Sequence, residues 1–147
     1  MLEEEFIRKP DPEERIMGIH MMEMDCKEIK PSERKIAEFA PLLAECLNDP
    51  EPQVRAQAVR VLGVFKIKYY AKFVVKLLAD SEGNVRGNTV WTLDQLDARQ
   101  YYSEVEKLKN DEAIWQDGNY KKQQVGEFVK TVITRWAFIN KKTDTPP

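Results

Sequence analysis

The sequence predicts an all-α solenoid of stacked helix pairs, with one short β-hairpin ahead of the last helix. Thirty-one residues separate Asp49 from Asp80 and thirty-one more reach Asp111, and Val54/Val85 and Arg55/Arg86 keep the same interval. A period of that size marks stacked repeats. The apolar residues obey it too: Phe39, Leu43 and Cys46 fall opposite Tyr70, Val74 and Leu77, then opposite Tyr101, Val105 and Leu108. At 147 residues and 42% hydrophobic content the chain suits one domain with a continuous core, and 33% charged residues imply thin layers and much solvated surface.

Taken in order, Leu2 to Lys9 supplies a stunted first helix, and Pro12 to Asp25 reads as the second helix of a truncated first repeat (residues 1–26), with Arg15 forty residues before Arg55. A terminal repeat needs a wetter outer face, which suits this reading. Ser32 can cap the next helix, whose apolar positions Ile36, Phe39, Leu43, Cys46 and Leu47 recur at three- and four-residue spacing. Pro41 lies inside it and is expected to bend it. Asn48-Asp49-Pro50-Glu51-Pro52 ends that helix and starts another near Glu51, because proline is tolerated in a first turn and carboxylates are favourable there. Its buried stripe is Val54, Ala58, Val61, Leu62 and Phe65, completing a repeat over residues 32–66. Residues 69–97 repeat the pair as Tyr70–Ala79 and Asn84–Leu96, joined by Asp80-Ser81-Glu82-Gly83. Tyr101 to Lys109 opens a capping repeat over residues 99–140.

In that last repeat the period slips. The valine-led helix is due at Gln116 but starts at Val125, nine residues late. The insert, near residues 113–123, reads as two short strands, Ala113–Gln116 and Tyr120–Gln123, around Asp117-Gly118-Asn119, since Asp-Gly readily adopts the positive φ of tight hairpins. An isolated hairpin is marginal, so the alternative is an irregular loop unless Trp115 and Tyr120 pack it down. Phe128, Val129, Val132, Ile133 and Trp136 then form the face of a closing helix. The repeat domain is expected to span residues 1–141, with 142–147 a polar, disordered tail.

Net charge is -2 and the chain has one histidine and two cysteines. Residues 1–50 carry 13 acidic and 7 basic side chains, residues 51–147 carry 12 and 16, so one end of the stack is expected to be acidic and the other mildly basic, the preferred alternative being charges that merely solvate outer helix faces. This balance argues against a general nucleic-acid binder, which needs a concentrated basic surface. Glu3, Glu4 and Glu5 follow Met1-Leu2, no basic leader precedes an apolar stretch, and no run of eighteen apolar residues occurs. A cytoplasmic protein without a membrane span is the expectation. Cys26 and Cys46 lack metal-ligand spacing, and Cys46 takes an apolar repeat position, which points to core thiols. There is no Gly-rich phosphate loop, no His/Cys cluster, and no nucleophile paired with a base, so neither catalysis nor a cofactor is expected.

The block Leu47–Gly63, LNDPEPQVRAQAVRVLG, resembles the HEAT repeat, particularly the short HEAT-like repeats of the phycobilin-lyase type. Leu78–Leu96 is a weaker copy and Pro10–Met24 a degenerate one. Asp111–Trp136 resembles a hairpin-plus-helix end piece found in some bacterial proteins of this kind. The resemblance implies a right-handed α-solenoid whose loop aspartates and second-helix arginines form a structural ladder between layers: Asp49, Asp80 and Asp111 with Arg55 and Arg86. It implies a binding scaffold more than an enzyme. The paired His-Glu motifs of deoxyhypusine hydroxylase cannot be drawn from His20 alone, the basic surface of HEAT-like DNA glycosylases is missing around Trp91 and Asp94, and phycobilin lyases are larger.

In HEAT arrays the second helices line the concave side. Aligning the copies gives the rows Met17/Gln57/Asn88, His20/Arg60/Trp91 and Met24/Val64/Gln95 as a candidate protein-binding face. Trp91 is its expected anchor, the alternative being a core tryptophan filling space beside Gly87 and Thr89. Met17, Met21, Met22 and Met24 are either core filler or an adaptable contact surface. The function expected is a non-catalytic protein–protein interaction scaffold with an unidentified protein partner. Two alternatives stay open: a HEAT-like accessory or lyase-like module of an enzyme system, and a weak nucleic-acid binder using the basic C-terminal half. Self-association through the solenoid ends is a further possibility.

Overall fold

The computed structural model describes residues 1–27 and 33–143, without the side chains of 142 and 143. Ser32, the expected cap, and the end of the tail lie outside the described residues. Among the described residues the chain forms α1 (Leu2–Ile7), α2 (Pro12–Cys26), α3 (Glu33–Cys46), α4 (Pro52–Phe65), α5 (Ala71–Val74), α6 (Gly83–Gln95), α7 (Tyr102–Glu106), β1 (Ile114–Gln116), β2 (Lys122–Gln124) and α8 (Val125–Thr143). The second helices α2, α4 and α6 pack side by side, and α1, α3 and the Lys68–Ala79 segment form the other row.

Local chemistry sets the boundaries. Asp11 accepts a hydrogen bond from the Glu13 N–H at 3.0 Å while Pro12 opens α2, so a side-chain cap and a preset φ start the helix together. Asp49, Asp80 and Asp111 instead close turns in their loops, each taking the N–H two residues on at 2.9–3.0 Å without capping a helix. Helix α3 runs through Pro41, which is exposed, and buries Phe39, Leu43 and Cys46. Helix α4 buries Val54, Ala58, Val61 and Leu62, as its pattern requires, whereas Phe65, expected in the same stripe, is only half-buried at the end of the helix. Cys26 and Cys46 are free and buried, and burial pushes the Cys46 thiol up to about 11.

The first helix of the next pair departs from expectation. Instead of one helix over Tyr70–Ala79, a 3₁₀ turn (Lys68–Tyr70), α5, and a second 3₁₀ stretch (Val75–Ala79) follow one another. A 3₁₀ segment rises about 2.0 Å per residue against 1.5 Å in an α-helix, so a short sequence spans more of the layer. The same occurs at Arg99–Tyr101 before α7, which is shorter than the expected Tyr101–Lys109 helix.

The hairpin forms, antiparallel, with Ile114 opposite Gln124, Trp115 opposite Gln123 and Gln116 opposite Lys122. Its turn differs from expectation: Gly118 does not hold a positive φ, whereas Tyr120 does, at 62°. The reason is Asp117, whose Oδ1 accepts the N–H groups of Asn119 and Lys121 at 2.9 Å and thereby shapes a longer loop. Tyr120 is 84% exposed and holds nothing down; Trp115, 2% exposed, does. Its ring lies over Gly87, where an added Cβ would stand 2.3 Å from Trp115 Cγ, and contacts Phe128 with ring centroids 5.2 Å apart. The space at Gly87 is therefore filled by Trp115, not by Trp91. Helix α8 buries Val125, Val129, Val132 and Trp136 against α6 and α7, and continues to Thr143, past the expected end of the repeat.

Candidate functional site

Three arginine rungs tie the layers together. Arg15 forks onto Asp49 at 2.8 and 2.9 Å, Arg55 onto Asp80 at 2.8 and 3.0 Å, and Arg86 onto Asp111 at 2.7 and 3.1 Å. Each arginine also donates to carbonyls of the loop before its own helix: Lys9 and Pro10, Asp49 and Pro50, and Asp80. Each rung thus joins one repeat's arginine to the next repeat's aspartate with bidentate geometry. Burial is the largest single influence on Asp80 and works against its charge, but the Arg55 hydrogen bond, the Glu82 N–H and the charges of Arg55 and Arg86 together hold the carboxyl below its usual range. Asp111 is lowered chiefly by Arg86. Arg15 is the rung the expected ladder left out, although its forty-residue offset from Arg55 was visible.

The second-helix face meets the hairpin loop around a polar cleft of about 510 Å³ lined by His20, Gln57, Arg60, Asn88, Gln116 and Asp117 among others. Trp91, Val64, Trp115 and Phe128 line its continuation under the loop. Trp91 is half-buried: its ring edge packs on α4, where a Cβ on Gly63 would meet Cζ3 at 2.8 Å, and the rest reaches the cleft. Of the proposed binding residues, the fold brings His20, Gln57, Arg60, Asn88 and Trp91 together. Met17 and Met24 are exposed but, like Gln95, do not line the cleft. Met22 is fully buried, so the methionine cluster divides between core and surface.

Neighbours across the face are not the repeat-equivalent pairs. His20 meets Gln57 at 3.3 Å, Arg60 meets Glu23, and Trp91 meets Gly63. In each case the earlier helix contributes the residue three positions beyond the equivalent one, about one helical turn. Successive repeats rotate relative to one another, and side chains interdigitate along ridges instead of meeting head-on.

Arg60 is consequently not a free anchor. It donates to both Glu23 oxygens, at 3.2 and 2.5 Å, and to Gln57 at 3.1 Å. Lys27 reaches Glu23 from the other side at 2.8 Å. Burial of Glu23 opposes its ionisation, yet the hydrogen bonds from Arg60 and Lys27 hold its carboxyl down at about 2. Asn88, 5% exposed, spends its amide on the Asn84 carbonyl at 2.9 Å and offers the cleft only an edge. Glu23 escaped the sequence reading because it lies three residues from His20, outside the aligned rows; the one-turn offset was the missing signal. Among the described residues no cluster of His, Cys, Asp and Glu is arranged to hold a metal ion, and no helix is long and apolar enough to cross a membrane.

Helix pairs stacked in two rows and joined by arginine–aspartate rungs define an α-solenoid. Residues 39–115 match the family model for HEAT repeats, and the chain belongs to that family. No curated protein and no solved structure matches it. HEAT repeats are generally protein-interaction scaffolds.

Proposed function

We propose that the protein is a non-catalytic scaffold that binds a protein partner on the concave face formed by α2, α4 and α6, with the hairpin loop as one wall of the site. The observation that carries this reading is Trp91: a large aromatic, half-buried against α4, in a cleft where Val64, Trp115 and Phe128 add apolar surface and Glu23, Lys27, Arg60, Asn88 and Asp117 supply polar walls. Tryptophan in such a setting anchors interfaces, because it buries much area with little rotamer entropy to lose. The Glu23–Arg60–Lys27 network beside it is already internally satisfied, so it supports specificity by rejecting groups that would break those pairs.

A photo-crosslinking side chain at Gln57 should capture a partner that the same probe at Glu104, exposed on α7, does not. Trp91→Ala should weaken the captured complex by roughly 2 kcal/mol or more. Its folding stability should fall by less than the ~3–5 kcal/mol of a fully buried tryptophan. Equal crosslinking from both positions would remove the face assignment.

A further inference from the structure

A second cleft, sharing no residue with the first, lies between α3 and the turn that leaves α4. It measures about 570 Å³, and its floor is apolar: Ile36, Ala40, Phe65 and Ile67. Its rim is basic, with Lys66 and Lys68 beside Tyr69 and Tyr70 and one carboxylate, Glu33, at the edge. From Lys66 to Lys76 the chain carries four lysines, all exposed, and no Asp or Glu. Arg8, Lys9, Lys27 and Lys130 each sit on a carboxylate; Lys66, Lys68, Lys72 and Lys76 do not among the described residues. Lys66 also holds φ 54° at the end of α4, a conformation that favours glycine. Tyr69 and Phe73 are 63% and 38% exposed in a cluster of touching rings, with Lys72 Nζ 4.1 Å from the Tyr69 centroid.

We propose that this cleft docks a short acidic peptide segment carrying an apolar anchor. The anchor side chain covers the Ile36–Phe65 floor, and carboxylates on either side of it meet Lys66 and Lys68. Charge complementarity fixes the sign of the partner, and the recessed apolar floor calls for a side chain that fills it. A nucleic acid fits less well. The rim offers ammonium groups with no arginine fork, and Lys72 already covers Tyr69, where a base would need an open ring to stack. An anionic bilayer would engage the lysines but leave a floor recessed between two elements unused.

Fluorescence anisotropy tests this with a labelled dodecapeptide of Glu and Asp around a central Leu-Phe, a companion with amides in place of the carboxylates, an oligothymidylate of equal charge, and phosphatidylserine vesicles. The acidic peptide should bind, and weaken roughly tenfold between about 50 and 300 mM salt. The double variant Lys66→Asn/Lys68→Glu should weaken it at least about tenfold with an unchanged melting temperature. Ala37→Glu, at an exposed cleft position on α3, should also abolish binding by placing a carboxylate beside the floor, where it repels the peptide's own. Equal binding of the amide peptide, no binding of the acidic one, or tighter binding of oligothymidylate or vesicles with the same variant sensitivity would overturn the proposal.

Discussion

Glu23 is the side chain in which burial and charge conflict most openly. Its side chain is 8% exposed, and its carboxyl sits at about 2, against 4.5 for the unperturbed group. A folded-state value below the unfolded one means that the native state binds its proton less readily. The stabilisation is therefore complete above about pH 4.5 and is lost as pH falls towards 2. The depression corresponds to roughly 3–4 kcal/mol at neutral pH. Glu23→Gln should accordingly be less stable than the parent at pH 7, with the deficit shrinking between pH 4.5 and 2 and nearly gone at the acid end. Parallel urea melts across that range check it; a deficit independent of pH would mean that packing, not charge, accounts for the loss. The three tryptophans give a second test at this scale, since Trp115 and Trp136 are 2% and 1% exposed whereas Trp91 is half-buried. In single-tryptophan variants, acrylamide should quench Trp91 markedly more than the other two.

At the scale of elements, the hairpin is held by what lies beneath it. Two three-residue strands cannot stand alone in water, and Trp115 seated over Gly87 supplies the missing burial. Gly87→Ala should drive a Cβ into the indole, cost roughly 1–3 kcal/mol, and lower amide-exchange protection across Ile114–Gln124. Gly118→Ala, by contrast, should change neither stability nor exchange, because Gly118 has a negative φ and no atom lies within 4 Å of the added Cβ. Equal effects of the two substitutions would overturn this account. The hairpin was legible as a nine-residue slip in the period and an Asp-Gly pair. The turn geometry was not, since it follows from hydrogen bonds to the Asp117 carboxylate that composition does not reveal.

Across the whole molecule, stability depends on each layer having a neighbour. Truncation before Asp111 would remove the last rung to Arg86, strip α8 from α6 and α7, and break the contacts of Trp136 Nε1 and Arg135 with Asp94 at 3.2 and 2.6 Å. Removing α8 exposes the apolar faces it covers on α6 and α7, so the truncated chain should melt at lower temperature and less cooperatively, and associate through that surface. Sedimentation and calorimetry check both. Trp136→Ala in the full chain should cost roughly 3–5 kcal/mol, the range for deleting a buried aromatic. An equally heat-resistant, monomeric truncation would show that α8 is an appendage.

The repeat period, the helix starts at Pro12 and Pro52 and most of the buried stripes were written in the sequence, because each rests on local chemistry: prolines in first turns, apolar residues three and four apart. Five of the six rung residues, Asp49, Asp80, Asp111, Arg55 and Arg86, follow from the resemblance to HEAT repeats, whereas the pairing of Asp49 with Arg15 came only with the structure. Only the tertiary structure decided, too, which side chains share the cleft. Repeat-equivalent residues slide past one another by about a turn, pairing Arg60 with Glu23 and His20 with Gln57, and the inserted hairpin brings its loop over the face. Rotation between layers and the seating of Trp115 on Gly87 are properties of packed surfaces; no alignment of one repeat on the next contains them.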